Sequence, residues 1–527
     1  MRLISVAGLL VTTLGALGAG LFAGACQVRN AQRCQLPDYP CERGIQCKLD
    51  PNSQVGTCVE ECNKATAGTM TTCPDDKPIC GDDGTCRTCQ ADGECQGRNT
   101  SLPRCVAQKC VACKTNSDCG DPLKPVCDAT SNTCRGCTLH GECADGICAK
   151  DDTLKDLTDA APIRQGQCVP AARQVVVDRN CTGTCSLQSQ LQALDTTRPY
   201  LHVTGNHNTT LLTINKPTNS LSVVHIVTDS ADLSPLQLTT APNTDMSNGA
   251  GAAIQVNAGV DVVLEGLTLF NSRTGLVCAG TMGSPTTTRV RVVRSLFAGN
   301  DTGINSRSCD LRVEDSWLGI GPTTYGAVAL SGNTLAMDLD TTRFEIVNTS
   351  FVRNAPRMAG GAFAGITLRN TLGAAQPGRI VNATFMRHDT PSASKAMAID
   401  CTYSVAGALT LINSLFVNDV APSGGNTYVA PNCKSGNVLY NGSDDTTLTG
   451  TGSFTDLGGK YAEIFVGTGL AGAAYSPRIK PTAAALVRRG TTAHSDSQGA
   501  LTLPTVDSEG RARPTSNVAV GAFEPAQ

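Results

Sequence analysis

The sequence predicts an all-β chain: a right-handed parallel β-helix, a single-stranded solenoid, preceded by a small disulfide-rich repeat region. Three observations predict it. Cysteines recur at fixed spacings before residue 170, β-branched runs ending in a turn recur after it, and long helical periodicity is missing from both parts.

The N-terminal segment has the composition of an export signal. Arg2 precedes an uncharged apolar stretch, residues 3–25, interrupted only by Ser5, Thr12, Thr13 and glycines. Leu21-Phe22-Ala23-Gly24-Ala25-Cys26 resembles a lipobox, with Ala23 where that pattern favours Leu. Residues 1–25 are therefore expected to be a signal peptide and Cys26 a lipidation site. Parity supports this, because 27 is an odd number of cysteines and setting Cys26 aside leaves an even set. Gln27 rather than Asp after the cysteine implies, by resemblance to Gram-negative lipoproteins, the outer membrane or cell surface. Two alternatives stay open. Ala23-Gly24-Ala25 is also an A-x-A site for ordinary secretion, and the stretch is long enough to remain as an uncleaved anchor.

Charge excludes one class of partner. Lys plus Arg (42) nearly balance Asp plus Glu (45), so no whole-chain field draws nucleic acid, and none is expected to bind. Aromatics are only 4%, so the fold must do without a large aromatic core. Composition changes near Pro170. Cys, Asp, Lys and Gly dominate before it; Thr, Val, Ala, Asn and Leu dominate after it.

Residues 26–170 form the Cys-rich region. Cys86, Cys110 and Cys134 are evenly spaced, and each opens a C-x-x-C step completed by Cys89, Cys113 and Cys137. Cys95, Cys119 and Cys143 then follow at one repeated interval, and a proline stands two places before Cys80, Cys105 and Cys127. Twenty cysteines thus divide into five units of four, namely Cys34, Cys41, Cys47 and Cys58; Cys62, Cys73, Cys80 and Cys86; Cys89, Cys95, Cys105 and Cys110; Cys113, Cys119, Cys127 and Cys134; and Cys137, Cys143, Cys148 and Cys168. Such units are too short and polar to bury a core, so disulfides of unread connectivity are expected to hold them. Paired C-x-x-C steps also have zinc-ribbon spacing, but the intervening thiols would be surplus, and no metal or cofactor is assigned. A redox C-x-x-C would need a surrounding strand and helix pattern that is missing.

Residues 171–527 carry the second repeat. Leu264-Glu265-Gly266-Leu267-Thr268-Leu269, Val293-Arg294-Ser295-Leu296-Phe297, Val313-Glu314-Asp315-Ser316-Trp317-Leu318, Val347-Asn348-Thr349-Ser350-Phe351-Val352, Val381-Asn382-Ala383-Thr384-Phe385-Met386 and Ile412-Asn413-Ser414-Leu415-Phe416-Val417 share an aliphatic anchor and a polar or small corner, usually followed by an aromatic or second aliphatic pair. Their spacing fits one β-helix turn, in which inward aliphatic residues stack on the turn below. A β-sandwich would need hairpin signals at closer intervals, and these are weak. Cys278 and Cys309, and Cys401 and Cys433, fall at near-equal offsets in neighbouring turns, which predicts disulfides Cys278–Cys309 and Cys401–Cys433. Buried free thiols are the competing reading. At the entrance, Ser186 N-caps a short helix bearing Leu187, Leu191 and Leu194, expected to cover the first turn, with Cys181 and Cys185 paired beside it and Tyr200-Leu201-His202-Val203 as the first rung.

The C-terminal cap is placed at residues 475–527. Asp507-Ser508-Glu509-Gly510-Arg511-Ala512-Arg513, then Gly521-Ala522-Phe523-Glu524, resembles the terminal signature of the bacterial surface β-helix proteins known as choice-of-anchor domains, with Ala519-Val520 in an Asp-Ile place. Ile479-Lys480-Pro481-Thr482 through Gly490 resembles the segment before it. Together with the lipobox and cysteine repeat, the organisation resembles myxobacterial surface lipoproteins. That resemblance implies a lipid-anchored protein presenting a pectate-lyase-like β-helix on a stalk, with Asp507 and Arg511 or Arg513 in structural roles.

No catalytic residues are assigned. Asn243-Thr244-Asp245 and Arg478-Ile479-Lys480 match pieces of the polygalacturonase pattern, but its G-H-G is missing and Asp444-Asp445 comes far too late. Asp338 and Asp340 alternate on a strand, where calcium or sugar binding competes with plain solvation. His388-Asp389 reads as a polar corner, as do the sequons at Asn300 and Asn441. The reading is a cell-surface structural, adhesion or glycan-binding protein, with a membrane and an extracellular polysaccharide or another cell surface as partners. A carbohydrate-active lyase or hydrolase is the alternative.

Overall fold

The protein was analysed as a computed structural model, which describes residues 33–35, 45–49, 55–60, 73–82, 85–98, 100–149, 163–178, 186–204, 207–208, 211–215, 223–228, 236–239, 251–270, 272–319, 333–354, 363–371, 376–386, 396–403, 409–417, 437–444, 448–468, 475–496, 499–501 and 503–525. Cys26, Cys41, Cys62, Cys181, Cys185, Cys433, Asp245 and His388-Asp389 lie outside them. The chain divides into two compact units, residues 1–118 with 128–133, and residues 119–127 with 134–527.

In the cysteine repeat the third and fourth cysteines of a unit face each other. Cys47 opposes Cys58 on antiparallel strands, Cys80 opposes Cys86, Cys105 opposes Cys110, and Cys148 bridges Cys168. Yet in the units from Cys73 onward these facing pairs are not the bonded ones. The disulfides are Cys73–Cys86, Cys89–Cys105, Cys95–Cys110, Cys119–Cys134, Cys137–Cys148 and Cys143–Cys168. Within a unit the first cysteine therefore joins the third and the second joins the fourth. The hairpin is stapled through each of its strands to preceding cysteines, which substitutes covalent closure for a core.

The second unit is a parallel β-helix of three sheets. Sheet 1 stacks ten strands, Gln174–Val177, Tyr200–Val203, Val223–Thr228, Asp261–Glu265, Arg289–Val293, Asp310–Glu314, Arg343–Val347, Gly378–Val381, Leu409–Ile412 and Asn437–Leu439; sheets 2 and 3 stack nine and seven. Every neighbouring pair in these sheets is parallel, the opposite of a hairpin-linked sandwich. Gln174–Val177 precedes Tyr200–Val203 in register, so the first rung begins one strand earlier than expected at Tyr200. Between them Ser186 caps the helix Leu187–Gln192, accepting from the Ser189 N–H at 3.3 Å while Leu187 and Leu191 face the core.

The six repeated corners join sheet 1 to sheet 2 through one residue at Gly266 and two at each of the others. Gly266, Arg294, Asp315, Asn348, Asn382 and Asn413 all have positive φ, between 45° and 72°. Asn and Asp tolerate this conformation best among residues with a side chain, which explains why asparagine fills three successive corners. Behind the corners runs a hydroxyl ladder, with Ser295 Oγ accepting from the Leu267 N–H and Ser414 Oγ from the Ala383 N–H, both at 3.2 Å. Inside, Phe351, Phe385 and Phe416 of sheet 2 stack with ring centroids 4.5 and 4.7 Å apart. Sheet 3 makes room for such rings with small residues: a Cβ on Gly275 would come within 2.8 Å of Phe297. The sequon residues Asn300 and Asn441 are fully buried, not surface turns. Asn300 accepts from the Ser272 N–H and donates to Leu269 O, bonding one turn to the next.

Cys278 is paired in register with Ser306, yet it bonds Cys309, three residues further on in the same neighbouring turn, with α-carbons 6.5 Å apart. Cys401 is also in a disulfide.

The C-terminal segment lies along a flank. Leu296, Trp317, Val352, Met386 and Leu415, on the outer face of sheet 2, share one apolar cluster with Tyr461, Phe465, Ile479, Val487 and Phe523. Its signature residues tie the cover together. Asp507 accepts from the N–H groups of Glu509, Arg511 and Glu524 at 2.8–3.0 Å, and Arg513 donates to Glu524 at 3.0 Å.

Candidate functional site

Alternation along sheet 1 puts Val262, Leu264, Val290, Val292, Leu311, Val313, Phe344 and Ile346 inside. The intervening residues face out. Strict register then stacks Asp261 on Arg289, Arg289 on Asp310, and Asp310 on Arg343. A second row runs Arg291, Arg312, Glu345, Arg379. Because neighbouring strands are about 4.8 Å apart, each row is a ladder of charge along the helix axis.

This face is covered at both ends and open between. Below, Ile147, Ala149 and Val169 of the last cysteine unit pack on Tyr200 and Val227. A buried polar latch completes that edge. The Cys148 N–H donates to His140 Nδ1 at 2.9 Å, so Nε2 carries the hydrogen that faces Glu265 at 3.1 Å, and Arg294 also bonds Glu265. Above, the hairpin of His494–Asp496 and Gly499–Leu501 lays Leu501 on Val347, Val381 and Ile412. Asp496 there accepts from Arg379 at 2.5 and 2.9 Å and from the Thr410 hydroxyl at 2.9 Å.

Between these covers lies a cleft of about 210 Å³ whose charged lining is Arg289, Arg291, Arg312, Arg343 and Arg379 against only Asp310 and Glu345. Carboxylates outside it set the guanidinium planes. Asp261 holds Arg289 and Glu314 holds both Arg291 and Arg312, while Glu345, within the lining, reaches Arg312 at 3.2 Å. A guanidinium has five N–H donors, so one held from behind still presents others outward. Arg343 is exposed and has no carboxylate within ion-pair distance among the described residues. Burial pushes the Asp310 carboxyl above its usual range, with Arg343 and Arg289 opposing, and burial lowers Arg291 below the ordinary arginine value.

Residues singled out from the sequence lie elsewhere. Asp338 faces Arg369 at 3.2 Å and Asp340 accepts from the Thr371 N–H at 2.8 Å, so internal partners occupy both carboxylates on sheet 3. Arg478 pairs with Glu509, Ile479 is buried under the cover, and Lys480 donates to Ala462 O at 2.6 Å. The sulfurs of Cys86, Cys89 and Cys110 are consumed by disulfides. Reading the sequence did not find the cleft. Its signal was available only as R-x-R in Arg289–Val293, followed by D-x-R in Asp310–Glu314, at outward positions of adjacent turns.

No family description and no curated protein matches the chain. Among solved structures, the crystal structure of pectate lyase Pel9A is similar over 68% of this chain and 98% of that one, at 12% identity and a TM-score of 0.33.

Proposed function

We propose that the protein is an exported, surface-held binder of anionic extracellular polysaccharide, and that the arginine cleft of sheet 1 is its binding site. The observation carrying this reading is the cleft's lining, five arginines against two carboxylates, on rows that extend over several turns. A linear polyanion laid along the helix axis meets a cation on most turns it crosses. Charge-assisted, bidentate contacts suit carboxylate or sulfate groups on such a polymer. The disulfides in both units are the chemistry of a compartment outside the reducing cytoplasm. Cys26 is the proposed lipid attachment point at the outer surface, and intact mass of membrane-extracted protein tests it directly.

Calorimetric titration with polygalacturonate, against neutral dextran, tests the cleft. Saturable binding of the acidic polymer alone supports the reading, and equal or undetectable binding of both overturns it. Release of unsaturated or reducing ends during the same incubation would instead make the protein a carbohydrate-active enzyme.

A further inference from the structure

The arginines of the cleft differ in where their carboxylates come from. Asp261 holds Arg289, and Glu314 holds Arg291 and Arg312, so those ion pairs lie within sheet 1 and are fixed by its register. Arg379 takes Asp496, which comes from outside the sheet. Its Nε and Nη2 donate to the two Asp496 oxygens at 2.9 and 2.5 Å, and the Thr410 hydroxyl, one turn further on, donates to the same carboxylate at 2.9 Å. Two parallel N–H donors closing on both oxygens make the fork by which a guanidinium recognises any carboxylate. Asp496 therefore sits where a carboxylate of a bound polymer would sit, at the upper end of the row Arg312, Glu345, Arg379.

The element that carries Asp496 is lightly held. Its strands, His494–Asp496 and Gly499–Leu501, pair with each other and join none of the three stacked sheets. Ser495, Gly499 and Ala500 are exposed, and the apolar anchor is Leu501, with Leu503 after it, on Val347, Val381 and Ile412. A lone two-stranded hairpin is marginal in water, so its contacts with sheet 1 keep it folded. Exchanging one carboxylate for another on Arg379 preserves the charge-assisted bonds. What the exchange gives up is the packing of Leu501.

We propose that Arg379 and Thr410 form a carboxylate subsite, which the chain fills with its own Asp496 until a polyanion displaces it, extending the arginine cleft by one turn and releasing the hairpin. This rests on the reading of that cleft as a polyanion site. Because Asp496 competes for the subsite, the apparent affinity is scaled down by the fraction of molecules in which the subsite is open.

Titration of the full chain with polygalacturonate reads the competition. Asp496→Ala should bind about fivefold or more tighter than the parent. Asp456→Ala removes one negative charge outside the cleft lining, where Asp456 pairs with Arg489. It should stay within about twofold of the parent, which separates competition from bulk charge. Amide hydrogen exchange in the unmodified chain is the second measurement, and it decides if Asp496→Ala does not fold. Saturating polymer should speed exchange of the hairpin amides about fivefold or more, whereas a ligand resting on a fixed hairpin slows it. Saturable binding that a folded Asp496→Ala chain makes no tighter, or that slows hairpin exchange or leaves it unchanged, would overturn the subsite while the arginine cleft stands. Absence of saturable binding to parent and variant alike would overturn both.

Discussion

Asp315 occupies a corner that three later turns give to asparagine, and the carboxylate there is costly. Burial raises its pKa from 3.8 to about 7, against the Asn348 hydrogen bond and Arg294, while Glu314 and Asp507 add like charge. The folded state thus holds the proton more tightly than the unfolded one between about pH 4 and 7, and stability falls as pH rises through that window. Asp315→Asn should leave stability unchanged at pH 4. At pH 8 it should add on the order of 2 kcal/mol, after discounting for partial exposure, measured as a pH series of urea midpoints. Arg343 presents the reverse case, a charge with no ion pair to lose among the described residues. Arg343→Ala should leave the urea midpoint within error and weaken polygalacturonate binding about fivefold, the size of one charge-assisted contact.

The corner segments were the most legible elements, because a tight turn that opens at positive φ restricts residue choice and the apolar residues flanking it are locked to opposite sheets. The first rung was less legible. Gln174–Val177 is a single short run separated from its partner strand by a helix, so no neighbouring repeat exposed its period. The arginine cleft was not legible at all, since its cations sit on different turns and each strand alone reads as ordinary outward polar alternation. Disulfide connectivity was also hidden, because the cysteines that face each other on the hairpins are not the ones that bond. That rule now extends to the first two units. Cys80 is disulfide-bonded and Cys73 already takes Cys86, so Cys62 should bond Cys80; likewise Cys34 should bond Cys47, and Cys41 should bond Cys58. Peptide mapping of the unreduced protein checks these links, and a Cys47–Cys58 peptide would contradict them.

A solenoid couples each turn mainly to its neighbours, so its flank cover need not unfold with its rungs. The chain's single tryptophan reports on that distinction. Trp317 is 3% exposed and belongs to the cluster that joins the outer face of sheet 2 to the C-terminal cover. Its emission therefore follows departure of the cover, whereas far-UV circular dichroism follows the stacked strands. Arg513 ties the cover internally through Glu524 and reaches the corner row at Asn348. Arg513→Met removes both links and leaves the buried Glu524 carboxylate only Arg488 at 3.6 Å and the Ala519 N–H, so the loss should lie toward the lower end of the about 3–5 kcal/mol that breaking a buried pair costs. That loss should fall on the cover and not on the rungs beneath it. In urea the Trp317 red shift should move to lower concentration in the variant and precede the loss of strand signal, while the two transitions stay closer in the parent. If both signals shift together, cover and solenoid form one cooperative body, and the C-terminal signature stabilises the whole β-helix.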